Sequence, residues 1–261
     1  MMNLELREAK AQGAPKGTIL FVHGALHGAW CWDRFMEYIP AKGYDCYAMS
    51  FRGHGASEGA DRIDEFGLDD YVADLSQVLG QLPESTIVVA HSLGGMVLQR
   101  YLGEHPSSIG QAIFLASMPV GGTTFFDQLK MLFAHRKATS IMLSINKGEQ
   151  VDPAVLKNAV IFGGRISEED LAPYAPLVKA ESKRVTKEQA KPSTDKFDVG
   201  VPVSLIGSRG DWMFSDQTEN ERAYGVKATM LDDLCHDMML DRDWQKAADA
   251  VIEAIEENGH S

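Results

Sequence analysis

The chain has 261 residues, 44% hydrophobic and 24% charged, which is enough to bury a sizeable core and typical of a globular protein. Its formal net charge of −12 argues against nucleic acid or an anionic membrane as the main partner, because both select basic surfaces. The charged first residues predict no signal peptide, no run approaches the roughly 18 apolar residues of a membrane span, and three scattered cysteines favour reduced thiols, so we expect a cytoplasmic protein without stable membrane association.

Short apolar runs alternate with amphipathic stretches along most of the chain. The apolar runs predict strands over Thr18–His23, Tyr44–Ser50, Thr86–Ala90, Gln111–Ala116, Val203–Gly207 and Val226–Leu231. A weaker run near Asn3–Arg7 predicts an antiparallel edge strand. The amphipathic stretches predict helices over Trp30–Pro40, Leu68–Leu82, Leu93–Glu104, Ser215–Tyr224 and Arg242–Glu257. Continuous apolar strands separated by helices predict an α/β fold, with a mostly parallel sheet covered on both faces.

The alternation breaks between about Thr123 and Lys196, where helical patterns follow one another without a strong strand. Residues 123–200 carry 12 Lys and Arg against 10 Asp and Glu, whereas the rest of the chain carries 13 against 27. Two glycines precede this segment and Pro202 follows it. We therefore predict a core formed by residues 1–121 and 198–261, with a helical cap, or lid, inserted at 122–197.

The stretch IVVAHSLGGM (87–96) places a serine between a predicted strand and a predicted helix. Such a turn exposes the Ser92 hydroxyl at the sheet edge and aims the first amides of the helix at the same point, where they stabilise a developing oxyanion. The usual pattern is Gly-x-Ser-x-Gly; here Ala90 replaces the first glycine and Gly94 keeps the second. The alternative is that Ser92 is only a helix N-cap.

A nucleophilic serine needs a base and an acid that orients the base. His236 follows the last predicted strand, and Asp211 follows the strand before it, in the order Ser92, Asp211, His236. The alternative for Asp211 is a turn residue, since Ser-Arg-Gly-Asp is strongly turn-forming. Its rivals for the acid are Asp216, Asp232 and Asp233.

The stretch FVHGALHGAW (21–30) follows the first predicted parallel strand. A glycine at position 24 lets the backbone come close to Ser92, so the Ala25 amide can join the Leu93 amide in an oxyanion hole. A metal site at His23 and His27 is the competing interpretation. We reject it because this glycine-broken loop lacks a Glu partner.

The chain resembles the α/β-hydrolase superfamily over nearly its whole length. The segments that carry the resemblance are VHG (22–24), FRGHGAS (51–57), AHSLGG (90–95), GSRGDWMF (207–214) and LCHDMML (234–240). Within it, HGALHGAWCW (23–32) is similar to the branch that holds small-ester esterases, such as methyl salicylate esterases, and hydroxynitrile lyases. Cys235 departs from the pattern, since a glycine commonly precedes the histidine.

The resemblance implies that Ser92 attacks, His236 relays the proton and Asp211 orients His236, with no metal or cofactor. The similar lyases carry Thr at the position of Gly24 and Lys after the catalytic histidine. This chain has Gly24 and Asp237, and a carboxylate there is ill suited to a leaving cyanide because like charges repel. Lyase chemistry is therefore a minor alternative.

The predicted function is hydrolysis of a small to medium, neutral or hydrophobic carboxylic ester through an acyl-enzyme, with a small-molecule ester as the partner. The alternatives are lactone, thioester or carbon–carbon bond hydrolysis, and a receptor-like ligand-binding protein on the same fold. Apolar side chains near the predicted site and in the cap predict the pocket, although those in the cap could equally pack it onto the core. The candidates are Gly24, His91, Trp30, Phe126, Leu129, Trp212, Met213 and Met238.

Overall fold

The sheet has seven strands. The computed structural model describes residues 1–123, 129–130 and 133–259, and its strands are β1 Leu6–Ala9, β2 Gly17–Val22, β3 Tyr44–Met49, β4 Ile87–His91, β5 Gln111–Leu115, β6 Val203–Ser208 and β7 Ala228–Leu231. They lie in the order β1-β3-β2-β4-β5-β6-β7. β1 pairs with β3 antiparallel and the other neighbours pair parallel. The predicted parallel sheet with an antiparallel edge is confirmed.

The helices whose bounds lie within the described residues are α1 Asp33–Tyr38, α2 Leu68–Leu79, α3 Leu93–Glu104, α4 Arg136–Asn146, α5 Pro153–Leu156, α6 Glu168–Leu171, α7 Lys183–Glu188, α8 Thr218–Tyr224 and α9 Gln245–Glu257. 3-10 helices span Ala29–Trp32, Ile39–Lys42, Ala60–Glu65 and Ala175–Leu177. Within the described ranges, no helix combines the length and the apolar character needed to cross a bilayer.

Strand β2 explains why the strands read as unbroken apolar runs. Ile19 and Phe21 belong to one buried cluster, which includes side chains of α1 and α9. Leu20 and Val22 belong to a second cluster, which includes side chains of α2 and α3. Because successive side chains point to opposite faces, a strand covered on both sides is apolar at every position. The predicted helices on both faces are confirmed.

Several predicted element ends were wrong, most clearly in the first helix. The segment predicted as one helix over Trp30–Pro40 contains α1 between two 3-10 helices, the second of which begins next to Pro40. A proline ring removes a backbone donor and favours such a break. The Asp216 carboxylate accepts a bond from the Thr218 amide and delays the start of α8. Other differences are the edge strand, which lies at Leu6–Ala9, the end of α2 at Leu79, and the starts of β7 at Ala228 and α9 at Gln245. The ends of the other strands differ from the prediction by one residue.

The segment between β5 and β6 contains α4 to α7 in its described part. Its buried residues Phe162 and Leu171 belong to the same cluster as Trp30 and Met238, so the segment packs directly on one face of the sheet domain. The Arg165 guanidinium adds a polar link. It contacts the carboxylates of Asp233, Asp241 and Asp243 in the loop between β7 and α9.

Candidate active site

Ser92 lies on a strained turn between β4 and α3. Its backbone has φ 52° and ψ −118°, a conformation that is costly for a residue with a side chain and that is typical of functional sites. Gly94 permits the turn, since a β-carbon there would collide with the His23 carbonyl oxygen. The Ser92 side chain makes no capping hydrogen bond to α3. The alternative that Ser92 serves only as an N-cap is therefore wrong.

Ser92, His236 and Asp211 form one hydrogen-bonded chain. His236 Nε2 lies 2.9 Å from Ser92 Oγ, and His236 Nδ1 lies 2.9 Å from Asp211 Oδ2. Because a carboxylate only accepts, Nδ1 carries the proton and Nε2 is free to accept from the serine hydroxyl. All three residues are buried, and Ser92 is 6% exposed. The structure thus brings together the three residues that the sequence singled out.

Ser208, the last residue of β6, fixes the two loops that carry Asp211 and His236. Its hydroxyl donates to the Leu234 carbonyl at 2.9 Å. It also accepts from the Leu234 amide at 2.9 Å and the Gly210 amide at 3.1 Å. Sequence reasoning missed this residue, because a serine at a strand end is indistinguishable from an ordinary turn serine.

The rival carboxylates lie elsewhere. Asp216 accepts from the Thr218 amide. Asp232 contacts Arg209, and Asp233 contacts Arg165 at 2.6 Å. Among these candidates, Asp211 is the one hydrogen-bonded to His236 in the described part of the chain.

The electrostatics of His236 favour its protonated form. Burial lowers the pKa of His236, but the Asp211 carboxylate and its hydrogen bond outweigh burial, so the pKa lies above that of an ordinary histidine. Phe214 packs edge-on against the ring with centroids 5.3 Å apart. This aromatic neighbour was not singled out from the sequence. The group at Nε2 is therefore a base that accepts a proton readily.

The Leu93 amide directly follows Ser92, and the Ala25 amide directly follows Gly24. Neither the Ala25 amide nor the Leu93 amide donates a hydrogen bond to another described residue. Gly24 lies against Ser92, since a β-carbon there would lie 2.9 Å from the Ser92 β-carbon and 2.8 Å from His91 Nδ1. This close approach is the one that the sequence predicted for a glycine at position 24.

Asp237 does not stand as a free negative charge beside His236. Its Oδ2 lies 3.0 Å from His27 Nε2, and both side chains are buried. Burial raises the pKa of Asp237, but the contact with His27 and the charges of His27, His91 and His236 together outweigh burial and leave that pKa below its ordinary value. Because His27 compensates the carboxylate, Asp237 does not disfavour lyase chemistry through charge repulsion, contrary to the expectation from the sequence.

The other histidines of this region also have defined roles. His23 Nδ1 donates to the Gly24 carbonyl at 2.7 Å, and its Nε2 accepts from the Phe51 amide at 3.0 Å. His91 Nε2 donates to the His236 carbonyl at 3.0 Å, and burial lowers the pKa of His91 to about 3. His91, His236 and Asp237 converge within 4.8 Å, but each of them already has a protein partner.

The candidate pocket residues divide into two groups. Gly24 and His91 contact the Ser92 turn, as described above. The Met213 amide donates to Asp211 Oδ1 at 2.7 Å, and the Met238 amide donates to the His236 carbonyl at 2.9 Å. These four therefore lie directly beside the triad.

Two of the remaining candidates, Trp30 and Trp212, contact the inserted segment. Trp30 is buried and stacks on Tyr174 with centroids 5.6 Å apart. Trp212 is 42% exposed and stacks on His135 at 4.3 Å. Leu129 is half-buried, and Phe126 lies outside the described residues. A role of these four in binding stays a prediction.

Named relatives of the chain include several esterases. The probable esterase PIR7A of Oryza sativa subsp. indica is 33% identical over 168 residues, which is 60% of this chain and 60% of the relative. Methyl jasmonate esterase 1 of Vitis vinifera is 33% identical over 159 residues, which is 59% of this chain and 57% of the relative. The matches thus span about three fifths of the length of these relatives.

Solved structures with low sequence identity share the fold. An esterase from Exiguobacterium antarcticum superposes with a TM-score of 0.73 at 15% identity, over 98% of this chain and 96% of the other. The Bacillus megaterium epoxide hydrolase gives a TM-score of 0.74 at 16% identity, over 98% and 97%. The family description that matches residues 19–261 is the alpha/beta hydrolase family. With its predicted α/β class confirmed and this match covering nearly the whole chain, the protein belongs to the alpha/beta hydrolase family.

Proposed function

We propose that this protein is a carboxylic ester hydrolase that uses Ser92 as nucleophile, His236 as general base and Asp211 as the residue that orients the base. The observation that carries the proposal is the chain of two 2.9 Å contacts from Ser92 Oγ through the His236 ring to Asp211. The strained Ser92 backbone and the free Ala25 and Leu93 amides support it. The printed names of the relatives, probable esterase and methyl jasmonate esterase, point to the same reaction class.

The mechanism has two halves. In the first, Ser92 Oγ attacks the ester carbonyl carbon while its proton passes to His236 Nε2, and the carbonyl oxygen becomes an oxyanion bound by the Ala25 and Leu93 amides. The carbon–oxygen bond to the alcohol then breaks, and His236 returns the proton to the departing alkoxide. An acyl group remains on Ser92.

In the second half, His236 takes a proton from water and the resulting hydroxide attacks the acyl carbon. The second tetrahedral intermediate collapses, the Ser92 oxygen leaves with the proton held by His236, and the carboxylic acid departs. Asp211 keeps the imidazole oriented and stabilises its charged form throughout. Atoms and charges balance without a cofactor.

The substrate we propose is a small to medium, neutral or hydrophobic ester. Gly24, His91, Met213 and Met238 would surround the reacting carbon, and these groups bring no net charge to it because His91 is neutral. Residues 122–197 would form the cap over this site, with Trp30 and Trp212 at its contacts with the core. The core of the proposed division comprises residues 1–121 and 198–261.

The experiment is hydrolysis of p-nitrophenyl esters from acetate to decanoate by the native protein, by Ser92→Ala and by the matched control Ser108→Ala, whose hydroxyl bonds the His105 carbonyl away from the triad. We expect cleavage by the native protein and the control, and loss of about 10⁴-fold or more in Ser92→Ala. The chain-length optimum measures the acyl pocket. Equal rates in all three proteins would contradict the proposal, and covalent labelling of Ser92 without turnover would favour a ligand-binding protein.

A further inference from the structure

A buried ion pair joins the two loops that carry the proposed catalytic machinery. His27 lies in the loop after β2, three residues beyond Gly24, and Asp237 immediately follows His236 in the loop after β7. Their side chains are 2% and 0% exposed, with His27 Nε2 and Asp237 Oδ2 3.0 Å apart. A buried charge is costly unless it is paired. The mechanism above uses neither side chain.

The other nitrogen of His27 holds the backbone of Ala25. Nδ1 lies 2.6 Å from the Ala25 carbonyl oxygen. The Ala25 carbonyl oxygen only accepts, so Nδ1 carries a proton, and the Asp237 carboxylate beside Nε2 favours the doubly protonated, charged ring. Burial lowers the pKa of His27, but Asp237 and these contacts outweigh burial and raise it. The His27 ring therefore contacts the Ala25 main chain through Nδ1 and Asp237 through Nε2.

The loop between these contacts is strained and needs such support. Leu26 has φ 71°, which is an uncommon conformation for a residue with a side chain. Strain of this kind persists only where the surroundings over-determine it. The Leu26 carbonyl accepts from the Lys179 amide of the inserted segment at 3.1 Å. The His27 ring supplies the second restraint, next to the residue whose amide faces the proposed oxyanion.

We infer that His27 and Asp237 are positioning residues that hold the Ala25 amide at a fixed position relative to the loop that carries His236. The inference rests on the proposed function. Amides of an oxyanion hole must lie 2.7–3.1 Å from the developing charge, and a displacement of about 1 Å costs on the order of 100-fold in rate. The ion pair joins residues 210 positions apart. It therefore couples the position of the loop after β2, which carries Ala25, to the position of the loop after β7, which carries His236.

The charges of the pair also act on the pKa of His236, so the pH profile provides a second, independent readout. The Asp237 carboxylate also faces His91, with Oδ1 and Nε2 3.9 Å apart, and it raises the pKa of His236. Removing the His27 charge alone would leave Asp237 uncompensated and raise the pKa of His236 further. Removing Asp237 would let His27 lose its proton, with little net change. The other charged or titratable groups that act on His27 are His23, His54 and Glu181.

The experiment compares His27→Asn, Asp237→Asn and the double variant with the native protein. Asparagine at position 27 can still donate to the Ala25 carbonyl but does not carry a charge. The matched control is Asp74→Asn, which breaks the buried pair of Asp74 with Arg52 away from the triad. The first readout is the rate at which a fluorophosphonate labels Ser92, which is measured by intact mass. The others are kcat and KM for p-nitrophenyl butyrate, and the thermal midpoint.

We expect both single variants to label and turn over about 10- to 100-fold more slowly, with KM within about threefold. The double variant should lose no more than the worse single variant, because the two residues act as one unit. His27→Asn should move the acid limb of kcat/KM to higher pH, whereas Asp237→Asn should move it little. The control should lower the thermal midpoint and keep the native labelling rate within about threefold.

Native labelling rates in folded His27→Asn and Asp237→Asn would overturn the inference, as would an equal loss in Asp74→Asn. If the single variants do not fold, the double variant, which buries neither charge, decides by the same labelling rate. Failure of the proposed function has a different signature. In that case the native protein itself would not label at Ser92.

Discussion

Gly24 lies against Ser92 with no room for a side chain between them, since a β-carbon at position 24 would lie 2.9 Å from that of Ser92. The contact sets the distance between the loop after β2 and the turn that carries the proposed nucleophile. The geometry of the proposed oxyanion hole would therefore depend on one glycine.

Gly24→Ala should lower kcat/KM for p-nitrophenyl butyrate by about 10- to 100-fold, because the new methyl group must push either Ser92 or the loop out of place. The control is Gly80→Ala, at φ −63° with its nearest contact at 3.5 Å. That change should leave activity intact and stabilise the fold by about 0.4–1 kcal/mol. Native kinetics in folded Gly24→Ala would contradict this account of the contact.

Asp211→Asn should lower kcat on the order of 10⁴-fold with a smaller change in KM, because the amide no longer fixes the productive His236 tautomer. Steady-state kinetics on the same ester measures it. The matched control is Asp216→Asn, a rival carboxylate that accepts from the Thr218 amide, and it should keep kcat within about threefold. Equal losses in the two variants would argue against a special role for Asp211.

The pH profile should show an acid limb above the pKa of about 6.5 of an ordinary histidine. Burial lowers the pKa of His236, but Asp211 outweighs it and raises the value. The base must be neutral to accept the Ser92 proton, so activity is lost as the pH falls through that raised pKa. Measuring kcat/KM between pH 5 and 9 at constant ionic strength tests this, and a limb below 6.5 would contradict it.

A second buried pair joins the core to the inserted segment. His54 Nε2 lies 3.2 Å from Glu181 Oε2, and the Tyr71 hydroxyl donates to Glu181 Oε1 at 2.7 Å. Burial lowers the pKa of His54, but the charge and hydrogen bond of Glu181, together with the Arg52 backbone hydrogen bond, outweigh burial and raise it. Burial likewise raises the pKa of Glu181, but His54 prevails and lowers it. Each partner therefore favours the charged form of the other.

Glu181→Gln should destabilise the fold by about 3–5 kcal/mol, because it leaves a buried histidine without its counter-charge. The Glu181 contribution is present above its unfolded pKa of about 4.3 and lost as the pH falls through its lower folded value. The His54 contribution is complete below about 6.5 and lost as the pH rises through its raised folded pKa. The difference from native should thus be largest between these limits.

Urea unfolding at pH 5.5 and pH 9 measures this difference. The exposed residue Glu169 provides the control Glu169→Gln, which should change the free energy of unfolding by less than about 0.5 kcal/mol. A pH-independent difference between native protein and Glu181→Gln would mean that the pair is not the source of the stability.

The sequence was informative where function depends on local chain geometry. A buried strand, a serine and two glycines predict the turn at Ser92, and the order of Asp211 and His236 follows from strand ends meeting at one edge of a parallel sheet. The bounds of α3 were predicted correctly for the same reason, since the turn fixes where that helix begins. The confirmed α/β class follows from strands that are apolar at every position.

Pairings across the fold could not be read in the same way. His27 and Asp237 are separated by 210 positions, and nothing in either local pattern names the other as its partner, so Asp237 was interpreted as a bare charge beside His236. His54 and Glu181 are likewise distant in the chain. Helices of four residues such as α5 and α6 are too short to show a periodic pattern, because one turn does not repeat.

The central claim is that an acyl group is carried by Ser92. The most direct measurement mixes the native protein with p-nitrophenyl acetate, quenches it in acid after milliseconds, and locates the added acetyl group by peptide mass alongside the release of p-nitrophenol. The account predicts a burst of p-nitrophenol of about one equivalent per chain and one acetyl group on the peptide that contains Ser92. Turnover with the acetyl group on another residue, or undiminished turnover by Ser92→Ala, would contradict it.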